Sequence, residues 1–157
     1  MNEFSAKKLG EVLAFATVSL ETGEKGEVAL REALGDDLFN DLIDRNQNYR
    51  QTINHLAEKY EVTGIVNKKL DGTGFKLRNM RDTYIGDDWD NPVEQLEWSG
   101  FFVGAAIVHW DLITGVAEKL NDEKITDLAT DALAFHRRLF EIVENKLQDR
   151  GREAAGN

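Results

Sequence analysis

From Trp98 to Ala117 the chain is apolar almost without a break, interrupted only by Ser99, Gly100, Gly104, His109, Asp111, Thr114 and Gly115. Just upstream, Asn91 is an N-cap residue, Pro92 suits the first helical position and Glu94 places an acid in the first turn. The stretch therefore reads as one helix over 92–120. Apolar on most of its faces, that helix must either be the central one or meet another subunit.

Three more segments carry helical periodicity. Leu9, Leu13, Ala16, Leu20, Gly23, Glu27, Leu30 and Leu34 recur at alternating four- and three-residue steps, which predicts a helix over 4–34. Gly23 and Gly26 weaken it locally, and Glu27 puts a carboxylate on its apolar stripe. Gly35 suits the end of that helix, with Asp36 and Asp37 expected to cap the next, over 37–60. The second helix has Leu38, Leu42, Tyr49, Ile53, Leu56 and Tyr60 inward, Asn46 among them and His55 opposite. A fourth helix is expected over 122–148, and 149–157 reads as a flexible tail. Segment 61–91 shows no sustained period and reads as a crossover with one short helix near 75–84. Helices of 24 residues are about 36 Å long at about 1.5 Å per residue, a distance such a segment can cross. The predicted fold is a single all-α domain, 1–148: a ferritin-like four-helix bundle of two antiparallel hairpins joined by a long crossover.

Composition narrows the chemistry. Among 157 residues, 29 acids face 19 Lys and Arg, for a formal charge of -10, and no cysteine is present. A positive face able to displace counterions is missing, which argues against nucleic acid and anionic membrane as partners. Thiol nucleophiles, disulfides and cysteine-held metals are excluded. The N-terminus lacks an apolar export segment, so the cytoplasm is the expected compartment. Lys68, Lys69, Lys76, Arg78 and Arg81 make the crossover locally basic; they are expected to be solvated or to pair with the acidic segments 21–44 and 82–97. Gly72-Thr73-Gly74-Phe75-Lys76 lacks the Gly-Lys-Ser/Thr ending of a phosphate loop, and no serine or threonine sits in a nucleophile motif.

The first hairpin, with Leu20-Glu21-Thr22-Gly23-Glu24-Lys25-Gly26, and the last helix, with Ala134-Phe135-His136-Arg137-Arg138-Leu139-Phe140, resemble the ferritin-like superfamily in its rubrerythrin-type and stress-associated members. The resemblance implies the two-hairpin bundle and a di-iron centre built from Glu-x-x-His motifs. At the corresponding places this chain carries Asn46-x-x-Tyr49 and Leu133-x-x-His136, so both bridging glutamates are missing.

What remains is a weaker constellation. His109 shares an arc with Trp98, Phe102, Ile113 and Val116, and reflection about Asn121 brings it near the height of His136. Glu24, Glu27, His109 and His136 could supply a metal such as Fe, Mn or Zn, with Asn46 and Tyr49 behind them. The other reading has two separate core histidines, each hydrogen-bonded to a neighbour, and no cofactor. Phe101, Val108 and Leu112 form a second apolar stripe on the third helix, beside the small residues Gly100, Gly104, Ala105 and Ala106. That stripe either packs within the bundle or is the interface of a homodimer. The expected function is that of a non-enzymatic, stress-associated bundle acting through its surface or as a homo-oligomer. The alternative is a metal-binding redox protein.

Overall fold

The computed structural model describes residues 1–156, and every regular element among them is an α-helix. In chain order these are α1 (Glu3–Lys25), α2 (Glu27–Leu34), α3 (Asp36–Lys59), α4 (Thr63–Ile85), α5 (Pro92–Leu120) and α6 (Glu123–Ala155). The most extensive pairings are α5 with α6 and α1 with α4. Helix α1 also lies against α3 and α5, α2 against α5, and α3 more lightly against α6. One continuous core joins them, with Leu9, Ile53, Leu56, Trp110, Ile113 and Ile125 withdrawn from solvent.

Local signals explain most boundaries. Asn2 accepts from the Ser5 amide to start α1, Asn91 from the Val93 amide to start α5, and Asp122 from the Lys124 and Ile125 amides to start α6. Gly35, at φ 86°, closes the first hairpin in a conformation open to glycine. It is also the residue that precedes α3, so the aspartate cap expected there is not made. The Asp36 carboxylate turns back instead to Arg31, 3.0 Å away.

The expected helix over 4–34 is two helices. The chain bends at Gly26 (φ -101°, ψ 20°), where the buried Gln95 amide presses so closely that a β-carbon would stand 3.1 Å from its Oε1. Hydrogen bonds from Gly26 N to Thr22 O and from Leu30 N to Gly26 O bridge the bend, so the axis kinks without unravelling. The expectation of an irregular crossover is corrected more strongly, since 63–85 is a helix throughout and the anticipated Asp71–Gly74 turn lies inside it. Its inward stripe of Val66, Gly74, Leu77, Arg81 and Ile85 includes a glycine and an arginine, which hid the period. Helix α6 likewise runs past Gln148 to Ala155, with an Arg150–Glu153 pair in its last turns; Asn157, the end of the expected tail, lies outside the described residues.

Close approach of α4 to α1 depends on Gly10, where a β-carbon would stand 2.6 Å from the Val66 carbonyl oxygen and 2.7 Å from Lys69 Cβ. Elsewhere the packing is looser: a cavity of about 30 Å³ lies among Ser19, Thr22, Leu30, Leu34, Trp98 and Phe102. Gly10→Ala should cost about 1–3 kcal/mol in urea unfolding, because backbone must move to admit the methyl group. Gly72, in the same pair of helices, has open space around its missing side chain. Gly72→Ala should therefore stabilise by up to about 1 kcal/mol.

Candidate functional site

Glu11 is buried on α1 where α4 and α5 converge. Lys8 Nζ donates to both of its oxygens at 3.0 and 2.9 Å, and Lys69 Nζ stands 3.0 Å away. Burial alone would raise the carboxyl's pKa, but the two ammonium groups outweigh it and hold Glu11 below the ordinary carboxylate range. His109 completes this cluster, its Nε2 3.7 Å from Glu11 Oε2 and its ring 4.8 Å from that of Phe15. Nδ1 of His109 donates to the Ala105 carbonyl at 2.8 Å. A cation seeking this carboxylate would have to displace lysines already there.

His136 occupies a different environment. It is 4% exposed, among the rings of Tyr49, Trp110 and Phe135, and its Nδ1 donates to the Ala132 carbonyl at 2.7 Å. Desolvation lowers its pKa, so the ring is neutral in the folded chain. Tyr49, the expected neighbour of a histidine site, does stack beside it, but its hydroxyl donates to Asp131 at 2.9 Å. Burial, followed by the Asp131 charge, raises the Tyr49 hydroxyl's pKa, while Arg45 neutralises Asp131 across 2.8 Å. The Asn46 amide is spent on the Leu42 carbonyl of its own helix.

Glu24 and Glu27 belong to neither environment. Both are exposed and line an open cleft of about 590 Å³ with Arg31 and Arg50; Glu27 pairs with Arg31 at 2.8 Å. The structure thus places Glu24 and Glu27 in the open cleft, His109 beside Glu11 and His136 among the aromatic rings. Among the described residues no group of three or more histidine, aspartate or glutamate side chains is placed to hold a metal ion. The bend at Gly26 is one physical reason, since it ends the periodic stripe that seemed to carry Glu27 inward.

Three buried polar groups escaped the sequence reading. Glu11 is one. Arg81 is 7% exposed, bonded to Asp82 and poised over the Trp89 ring, with Lys25 also over that ring. Gln95 is fully buried, donates to the Trp89 carbonyl and leaves its Oε1 as the one buried side-chain polar atom without a partner among the described residues. Treating 63–85 as a helix would have revealed Arg81, four residues past Leu77 on its inner stripe. The basic crossover residues do reach acids: Arg78 grips Glu21 with two bonds of 2.8 Å, and Arg81 lies 3.8 Å from the same glutamate.

The second stripe of α5 is outside the core. Phe101 is 65% exposed, Val108 61% and Leu112 36%. Tyr84 extends this apolar face, its ring 5.2 Å from Phe101, and Met80 is exposed nearby. An open groove of about 420 Å³ adjoins it, with Gly100, Phe140, Val143 and Leu147 in its walls. Among the described residues α5 is also the one helix long and apolar enough to cross a membrane, at mean hydropathy 1.5. Its other face, however, packs on α1, α2 and α6.

Because His136 is neutral when folded and ionises near the ordinary imidazole value of 6.5 when exposed, protons favour the unfolded chain. The stability this group provides is complete above about pH 6.5 and should decline as pH falls below that value toward the lowered native pKa. Urea unfolding between pH 7.5 and 5 should show the decline, and His136→Gln should flatten it while lowering stability at every pH.

No family model, curated protein or solved structure matches this chain, so its function has to be argued from its own residues.

Proposed function

We propose that this chain is a non-catalytic, ferritin-like helical bundle, cytoplasmic and stress-associated, that acts through its surface. In this reading α1, α3, α6 and α5 are the four helices of the bundle, and α4 is the crossover laid along α1. The ring of neighbours supports it: α1 lies against α3 and α5, and α6 against α5 and α3.

The observation that carries the functional reading is the outer face of α5. Soluble chains rarely leave Phe101, Val108 and Leu112 on one helix face, with Tyr84 and Met80 beside them, unless something covers that face. The interior, by contrast, does not fit a di-iron centre. Asn46 and Leu133 stand where bridging glutamates are needed, the Glu11 oxygens are taken by lysines, and His136 is walled by aromatic rings. A redox role through a mid-bundle metal would need carboxylates that this arrangement sends elsewhere.

Thermal unfolding with added Fe(II), Mn(II) or Zn(II) tests this reading. A metal present at about 100 times its Kd would add about 2.7 kcal/mol, which for a chain this size is several degrees of Tm. The expected result is a Tm unchanged by any of the three metals. A rise that His136→Ala or His109→Ala abolishes would overturn the proposal.

A further inference from the structure

Accepting the outer face of α5 as the working surface, we infer that it is the seam of an antiparallel homodimer. Two copies of α5 pack across a two-fold axis that passes between Ala106 and Ile107. The stripe runs through the exposed Phe101, Val108, Leu112 and Lys119 and the half-buried Glu94 and Ala105 at heptad-compatible spacing, with Trp98, turned into the core, and Gly115 at the two intervening positions. Reflection about that axis sets Phe101 against the partner's Leu112 and Ala105 against the partner's Val108, so large side chains meet smaller ones along the seam. It also sets Glu94, in the first turn of α5, against the partner's Lys119, in the last.

Charge chooses both the occupant and its direction. A parallel pairing would place Glu94 on the partner's Glu94 and Lys119 on the partner's Lys119, two like-charge contacts, whereas the antiparallel pairing makes two opposite-charge contacts. A bilayer supplies no counterpart for an acid at one end of the stripe and a base at the other. Nor can α5 span one in this fold, since Phe102, Trp110 and Ile113 on its other face are buried against the rest of the chain. A second copy of the chain carries the complementary pattern by symmetry.

Sedimentation equilibrium of the full chain up to about 100 µM tests the inference, together with charge reversal. The wild type should be a dimer. Glu94→Lys and Lys119→Glu should each weaken association about tenfold, and the two together should restore it to within about threefold. Both positions lie at the ends of the stripe, away from the core, so these variants should stay folded even if Val108→Asp does not. The chain has no cysteine of its own. On mild oxidation, Phe101→Cys chains mixed with Leu112→Cys chains should therefore form a mixed disulfide dimer, and neither should link to itself. A monomer at about 100 µM overturns the dimer, as does a monomer that floats with phosphatidylcholine vesicles. Self-linking of Phe101→Cys, or charge reversals without effect, overturns the antiparallel register. A monomer whose Tm ignores metals removes the dimer alone, whereas a metal-raised Tm removes the functional reading whatever the mass.

Discussion

Desolvation of α5 is the constraint from which the other helices take their places. Leu96, Trp98, Phe102, Trp110, Ile113 and Val116 are all buried on one side of it. At about 25 cal/mol per Å² of apolar surface, that side alone makes a large contribution toward offsetting the entropy of ordering the chain. Helix α6 covers much of it, α1 and α2 the remainder, and α3 is placed by having to lie against both α1 and α6. Such a helix cannot be half covered without cost. The same composition that organises the core leaves Phe101, Val108 and Leu112 on the far side, so the stability of the fold and the apolar character of its surface come from one segment.

Polar groups join Val66, Leu77 and Ile85 in holding α4 to this framework. Lys69 reaches Glu11, and Arg78 and Arg81 reach Glu21, so three cations of α4 engage two carboxylates of α1. Glu11 and Arg81 are buried and each has two opposite charges beside it, Lys8 and Lys69 for the first and Glu21 and Asp82 for the second, so the loss of one partner leaves another in place. Gly10 brings the two backbones close enough for these contacts. Trp89, lying between Lys25 and Arg81, carries the arrangement into the connection that leads to α5.

Which parts of the sequence disclosed this depends on how each helix buries its surface. Helices α3, α5 and α6 show clear apolar stripes or caps, and Asn91-Pro92, Gly35 and Asp122 mark ends where the chain does change direction. Helix α4 was hidden because periodicity counts apolar residues, whereas its inner stripe includes Gly74 and Arg81. The break at Gly26 was half visible: glycine signalled weakness, but the side chain that exploits it, Gln95, comes from a helix distant in sequence. For the candidate site, helix faces were read correctly for His136 and Tyr49. His109 instead meets Glu11 and Phe15 of α1, and Glu11 was hard to foresee as an inward residue because it is a carboxylate outside the periodic apolar stripe.

The small cavity among Ser19, Thr22, Leu30, Leu34, Trp98 and Phe102 has a mechanical consequence. Thr22 and Ser99 on its wall spend their hydroxyl protons on the Val18 and Gln95 carbonyls of their own helices, so a water entering it would find acceptors but few donors. Space of this kind disappears when the chain unfolds, and its loss adds to the volume decrease that lets hydrostatic pressure favour the unfolded state. The junction of α1, α2 and α5 is therefore a place where squeezing the molecule, as distinct from heating it, acts directly on the packing.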